Sequence, residues 1–225
     1  MKISEKTLNY LKNFASINPS ILIKKGNILS TVSPQKNIMA RAVVEEKFPV
    51  DFCIYELSRF LGTISLFDDP DFNFGETSVT IKSGNQSTKY GYADKECIQT
   101  PPSDEIVIDE TDIEFFLDVE NFTNIAKACS VLQLPEVAFV GDGQKISLQA
   151  LDSSNQDADS HKVDVGVTSD VFKMIMKPEN LKLMSRNYDI KISPKKVIEF
   201  SCVPDLKYWI ATEASSTYVK GGKND

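Results

Sequence analysis

The chain is short of the residues from which catalytic and metal sites are usually made. Its 225 residues include one histidine, one tryptophan and four cysteines, Cys53, Cys97, Cys129 and Cys202, no two of which form a C-x-x-C pair. That spacing gives neither a structural zinc site nor a dithiol redox motif, and thiols so scattered read as reduced core residues. His161 borders Asp152–Ser160 (DSSNQDADS), a stretch that reads as a mobile loop, where a solvated imidazole is the ordinary outcome and a general base the rare one. No G-x-x-x-x-G-K-[ST], H-E-x-x-H or G-x-S-x-G occurs, and Gly141-Asp142-Gly143 lacks the third glycine and the following helix of a dinucleotide fingerprint. Asp68-Asp69-Pro70-Asp71 lacks the spacing of a calcium loop and reads as an acidic turn. The expectation is a protein without catalysis, cofactor or metal.

Long apolar runs are missing as well. Nothing approaches the ~20 residues of a membrane span, and Met1-Lys2-Ile3-Ser4-Glu5 lacks the hydrophobic segment of a secretory signal, so a soluble, intracellular protein is expected. Positive charge is scarce: the net charge is −7, which argues against a protein that binds nucleic acid over its whole surface. The acids are concentrated, however. Asp68, Asp69, Asp71 and Glu76 cluster after one helix-sized stretch, and Asp104, Glu105, Asp109, Glu110, Asp112 and Glu114 fill a central segment. A surface acidic in one place and basic along its helices can hold DNA on one face and repel it elsewhere.

What is present is a recurrence. Helix-sized stretches begin at Ser4-Glu5, Tyr55-Glu56, Val119-Glu120 and Pro178-Glu179, each opening with its only acid, which suits the positive end of a helix dipole. Leu57, Phe60, Leu61 and Ile64, then Phe122, Ile125, Ala126 and Cys129, lie at i, i+3, i+4, i+7 and lay one apolar stripe each against a sheet. Leu8, Leu11 and Ala15 do the same in the first stretch; Leu181 and Met184 do so weakly in the fourth. Away from the stripes stand Lys6, Arg59, Lys127, Lys182 and Arg186 with small polar residues and no carboxylate, while Lys12 flanks its stripe.

After each helix the pattern alternates as strands do. Turns are expected at Lys25-Gly26-Asn27, Ser83-Gly84-Asn85, Gly141-Asp142-Gly143 and Pro194-Lys195-Lys196, joining Ile21–Lys24 to Ile28–Val32, Thr77–Lys82 to Gln86–Ala93, Glu136–Val140 to Lys145–Leu151, and Tyr188–Ser193 to Val197–Val203. The class is α+β with more strand than helix. The Pro-rich segment Gln99–Glu105 divides the repeats two and two. The expected domains are 1–100 and 112–225, joined by a connector at 101–111, with Lys220–Asp225 a frayed tail.

Leu11–Asn18 (LKNFASIN) and Ile54–Leu66 (IYELSRFLGTISL) resemble the first and second helices of the sliding clamps of T-even-type bacteriophages. The chain length, the four β-α-β-β-β units, the acidic balance and the single histidine resemble that family over the whole chain; residue-level similarity is concentrated in the first 70 residues. The resemblance implies the DNA-clamp fold, with two similar domains of two β-α-β-β-β units each and the helices lining the inner face of a head-to-tail ring. It further implies a homotrimeric DNA polymerase processivity factor, loaded around double-stranded DNA by a clamp-loader ATPase in the host cytoplasm, tethering the phage DNA polymerase, with late-transcription factors as further partners.

Helix width gives a consistency check. Four helices at about 10 Å spacing close a circle only about 13 Å across, and eight leave about 15 Å of clearance; twelve, from three chains, leave about 28 Å, enough for a duplex. On this reading Lys6, Lys12, Arg59, Lys127, Lys182 and Arg186 touch phosphates, contacts that carry no sequence information and let a ring slide. The residues alone leave open a solvated helix face with pairs such as Glu56–Arg59 and Glu179–Lys182. By analogy of fold, subunits meet through the edge strands bearing Tyr90 and Tyr92 in the first domain and Val163 and Val165 in the second, and partner proteins bind an apolar groove at Ile106, Val107 and Ile108.

Two other classes compete. One is a β-rich structural or virion interaction protein with no DNA role. The other is a single-strand binder, which needs exposed aromatics in a basic groove; the aromatics here mostly fall on apolar stripes or inside strands, with Tyr90, Tyr92 and Tyr208 as the candidate exceptions.

Overall fold

The computed structural model describes residues 1–103, 105–108, 113–155 and 157–221. In chain order the elements are α1 (Glu5–Ile17), β1 (Ile21–Ile23), β2 (Gly26–Val32), β3 (Ile38–Phe48), β4 (Phe52–Ile54), α2 (Leu57–Ile64), β5 (Asp71–Phe74), β6 (Ser78–Ser83), β7 (Gln86–Gly91), β8 (Ile113–Leu117), α3 (Val119–Leu132), β9 (Glu136–Asp142), β10 (Lys145–Leu151), β11 (His161–Val167), β12 (Val171–Met176), β13 (Tyr188–Ser193), β14 (Val197–Cys202), β15 (Leu206–Ala211) and β16 (Thr217–Val219). Two compact units result: Met1–Glu105 with Val203–Lys207, and Ile106–Cys202 with Tyr208–Asp225. Of the acids expected in the connector, Asp104, Asp109, Glu110 and Asp112 lie outside the described residues, as do Gln156 of the predicted loop and residues 222–225 of the tail.

In the first unit α1 starts where its chemistry says it should. The Ser4 hydroxyl accepts from the Thr7 N–H at 3.3 Å, and the Glu46 carboxylate accepts from the Ser4 N–H and from Thr7 Oγ1, tying the helix start to β3. The buried face of α1 is Thr7, Tyr10, Leu11, Phe14 and Ile17, a stripe one step round from the expected Leu8, Leu11 and Ala15, because the aromatic rings take the deepest places. On α2, Leu57, Phe60 and Ile64 are buried as the spacing predicts. β5, β6 and β7 form an antiparallel sheet in that order, with Gly84 at φ 57° in the β6–β7 turn, and β1 pairs with β4. The predicted Ile21–Val32 hairpin is therefore replaced. Gly26, at φ 123°, turns the chain out of β1 and into β2, whose partner is β3, Ser30 facing Arg41 and Val32 facing Met39.

In the second unit Asp118 caps α3 by accepting from the Asn121 N–H at 2.7 Å, and Phe122, Ile125 and Cys129 are buried. Ala126, expected on that stripe, is exposed. One sheet runs β11-β10-β9-β12-β16, and β8, β13, β14 and β15 lie side by side in another. Trp209 Nε1 donates to buried Glu199 at 2.9 Å, so a charged residue sits inside this unit with a partner.

The fourth helix is not there. Pro178–Asn180 is a single 3₁₀ turn, and the chain then runs without regular structure to Asn187. The reason lies in the backbone of one residue: Tyr188 Oη donates to the Met184 carbonyl at 2.5 Å, and the Met184 N–H donates to Tyr208 Oη at 3.4 Å. Tyrosine hydroxyls thus satisfy groups that a helix would pair with its own backbone. The core-thiol expectation also needs correction: Cys53 and Cys129 are buried and Cys202 is half-buried, but Cys97 is exposed in a 3₁₀ turn, Lys95–Cys97.

Candidate nucleic-acid interface

Each predicted cation has a distinct setting. Lys6, in the first turn of α1, places its ammonium on the Asp205 carboxylate, and that hydrogen bond raises its pKa against a smaller opposing effect of burial. Lys12, one face round, is exposed and makes no ion pair among the described residues. It lines a cleft of about 500 Å³ together with Ile3, Leu8, Leu61, Ile64 and Phe67, whose rim carries Glu5, Asp68 and Asp69. The predicted acidic turn has company of its own: Lys2 Nζ lies 2.9 Å from Asp69 and 3.6 Å from Asp71.

Arg59 projects from α2 with its side chain 75% exposed and a loose contact of 3.4 Å to Glu56, the i,i+3 pair visible in the sequence. It lines a second cleft, of about 270 Å³, with Tyr55, Glu56 and the segment Lys89–Ala93. Tyr90 packs edge-on to Phe60 at 5.1 Å, and Tyr92 stacks on Phe52 at 5.3 Å. Burial pushes the Tyr92 hydroxyl up to about 12, and that buried hydroxyl has no hydrogen-bond partner among the described residues.

Lys127 is exposed on α3, without an ion pair among the described residues. Lys182 and Arg186 are not on a helix face at all. Lys182 is exposed in the irregular stretch, and Arg186 is half-buried with Nη1 4.0 Å from Cys202 Sγ. The structure therefore puts four of the six predicted cations on helices and two on a segment expected to be helical.

The other predicted positions fall as follows. Tyr90 is on β7, an edge strand, and Tyr92 lies just past its end; Val163 and Val165 are on β11, also an edge, and half-buried. Ile106 and Ile108 are half-buried and Val107 is 74% exposed, in a segment without regular structure. Of the tyrosines weighed for base stacking, Tyr208 is fully buried and Tyr90 and Tyr92 half-buried, so no aromatic groove is formed by them. Tyr55, 60% exposed beside Arg59, escaped notice; its signal is an aromatic directly before a helix and off the apolar stripe. Asp205 also escaped, since nothing in a sequence marks a partner 199 residues from Lys6.

A model of the DNA polymerase processivity factor family matches residues 2–96. The sliding clamp of Vibrio phage KVP40 is 31% identical over 223 residues, covering 95% of this chain and all of that one. The sliding clamp of Enterobacteria phage T4 is 25% identical over 228 residues, covering 97% and 99%. Among solved structures, A. fulgidus PCNA with the C-terminal region of FEN-1 bound superposes with a TM-score of 0.68 at 13% identity, covering 93% of this chain and 96% of that one. The Helicobacter pylori beta clamp bound to a DNA ligase peptide gives 0.72 at 13%, covering 95% and 65%. At such identity the two structures speak for the fold.

Proposed function

The chain belongs to the sliding clamps of T4-like phages, a family of DNA polymerase processivity factors, and on that premise we propose that three copies close head to tail around duplex DNA and tether the phage polymerase to it. A processivity factor performs no reaction of its own; it changes how long another enzyme stays on its template. The observation that carries the reading is 31% identity running through 95% of the chain. The assembly needs a clamp-loader ATPase to open it, works on DNA in the host cytoplasm, and offers the same surface to late-transcription factors.

The charge distribution supports a loose inner face. A net charge of −7 repels DNA from most of the surface, while Lys12, Arg59 and Lys127 stand exposed on helices. Their contacts with phosphates exchange readily, so topology rather than affinity retains the ring. Lys6 joins them by exchanging Asp205 for a phosphate. Lys182 and Arg186 contribute from an irregular segment, so the width estimate of four helices per chain becomes three helices and one irregular element. Subunits join through the β7 and β11 edges near Tyr90, Tyr92, Val163 and Val165, and partner proteins take the Ile106–Ile108 segment.

Two experiments test this. Loaded protein should stay on nicked circular duplex and leave when the circle is linearised; equal retention on both forms eliminates the topological mechanism. Arg59→Glu combined with Lys127→Glu should reduce loading or processive synthesis several-fold while circular dichroism stays native, and unchanged processivity removes these residues from the DNA face.

A further inference from the structure

The cleft of about 500 Å³ in the first unit opens between the start of α1 and the end of α2, and it holds residues that helical spacing assigns to the core. Leu8 and Leu61 belong to the apolar stripes, yet both are only half-buried, as are Ile3 before α1 and Phe67 after α2. Leu66, between the lining residues Ser65 and Phe67, is 71% exposed. Apolar surface gathered at the seam of two packed helices thus faces solvent, in a cleft whose size falls within the roughly 300–1,000 Å³ of ligand pockets.

Charge restricts what the cleft accepts. Glu5 and Asp68 stand on its rim, both exposed and neither in an ion pair among the described residues, whereas Asp69 is already held by Lys2. No basic residue stands in the last turn of α2, so the negative end of that helix is uncovered and adds to the same field. Against these carboxylates stands one lining cation, Lys12. Phosphates meet repulsion here, and a cation beside an apolar body is favoured.

The backbone restricts its form. β5, which begins at Asp71 just past the cleft, has its free edge closed at Phe72 by Met1, the two residues exchanging hydrogen bonds of 2.7 and 2.8 Å. An extended peptide adding as a strand finds that position taken. A helix satisfies its own backbone and needs from the cleft only apolar contact and charge.

We propose that this cleft docks an amphipathic helix of a partner protein, its apolar side chains seated on Ile3, Leu8, Leu61 and Phe67 and its basic edge lying along Glu5 and Asp68. Apolar anchors at i, i+3, i+4 and i+7 face one groove, and lysine or arginine on the flank reaches the rim carboxylates. The site shares no residue with the Ile106–Ile108 segment or with the β7 and β11 edges, so it stands whether or not the ring does.

The test is fluorescence anisotropy of the full chain with a labelled synthetic helix of about 15 residues, leucine on one face and lysine along one edge, against a twin with glutamate in place of lysine. The lysine helix should bind, and the glutamate twin roughly tenfold more weakly or worse. Asp68→Lys should weaken the lysine helix roughly tenfold, while Asp159→Lys, the same charge change at an exposed residue of the second unit, should alter it by less than about twofold. Leu8→Gln should abolish binding while circular dichroism stays native; if it unfolds the chain, the Asp68→Lys arm decides alone. No binding of the lysine helix, equal binding of the two helices, or equal weakening by Asp68→Lys and Asp159→Lys overturns the proposal. A glutamate twin that binds the better of the two shows a site for anions, DNA included, and a lower sedimentation-equilibrium mass of Leu8→Gln shows a contact between copies; either result overturns it as well.

Discussion

In the first unit two helices, α1 and α2, pack against each other; in the second, among the described residues, one α-helix, α3, packs on β9, β10 and β11, and the stretch after the Pro178–Asn180 turn stays irregular to Asn187. Along that stretch Leu183 and Asn180 are buried, Lys182 is exposed, and Leu181 stands in one apolar cluster with Phe122, Ile125 and Phe139. The leucines still reach the core, but without helical spacing. A cation carried by such a segment is held by its neighbours, as Arg186 is near Cys202, whereas one on α1 or α3 is held by the helix itself. The comparison teaches that a repeat in sequence can be kept as a path of chain after its helix has gone, provided other side chains satisfy the backbone.

The largest test of this difference removes a ring from each unit. Phe60→Ala should cost about 3–5 kcal/mol, since Phe60 is buried, and its hydrogen-exchange signature should spread to β7 because the ring supports Tyr90. Phe122→Ala should cost a similar ~3–5 kcal/mol but loosen α3 together with the Leu181 segment. Exchange that stays local in both would show that the two units do not rely on these rings in the way described. Next in size is Tyr188→Phe, which leaves the Met184 carbonyl without that donor and should cost about 1–3 kcal/mol by urea titration. No loss would mean that the irregular stretch is not held by its tyrosines.

Smaller is the response of the first unit to acid. Burial pushes the Glu46 carboxyl up, but hydrogen bonds from Thr7 and Ser4 outweigh it and leave the pKa lowered. A folded-state pKa below the unfolded value of ~4.3 gives stability that is present above that value and is lost as the pH falls through the folded one. Glu46→Gln should therefore be less stable than wild type at pH 7, and the gap should close in acid; a constant gap from pH 7 to 2 would contradict the assignment. The smallest expected effect is that of Asp205→Asn, which breaks the exposed pair with Lys6 and should change stability by no more than ~1 kcal/mol. On the proposed DNA face it should also free Lys6 for a phosphate, so loading at low salt should be faster and more salt-sensitive, while retention on closed circles stays unchanged.

What the sequence made legible was local. The Ser4 cap, the first-turn acids Glu5 and Glu120, the stripes on α2 and α3, and the Gly84 turn all rest on interactions within a few residues, whereas Glu56 stands at the N-cap of α2 and makes no side-chain cap bond there. Gly26 was recognised as a turn but joins β1 to a strand with a different partner, because register across a sheet depends on β3 and β4, strands whose residues give no pairing signal. Pro178-Glu179 has sound helix-start chemistry, and only tyrosines at 188 and 208, distant in sequence or beyond the helix, override it. Among the candidate site residues, exposure of Arg59 and Lys127 followed from their place opposite the stripes; the neutralisation of Lys6 by Asp205 had no local sign.

The five residues Val203–Lys207, grouped with the first unit, have a consequence for the order of synthesis. Chain leaves the ribosome at about 5–20 residues per second, and N-terminal domains ordinarily fold while the rest is still being made. Here the Val43 N–H waits for the carbonyl of Asp205, and Lys6 for its carboxylate. At that pace the first unit emerges by Glu105 and remains unfinished for roughly another 5–20 s, until the far end of the chain arrives to complete it.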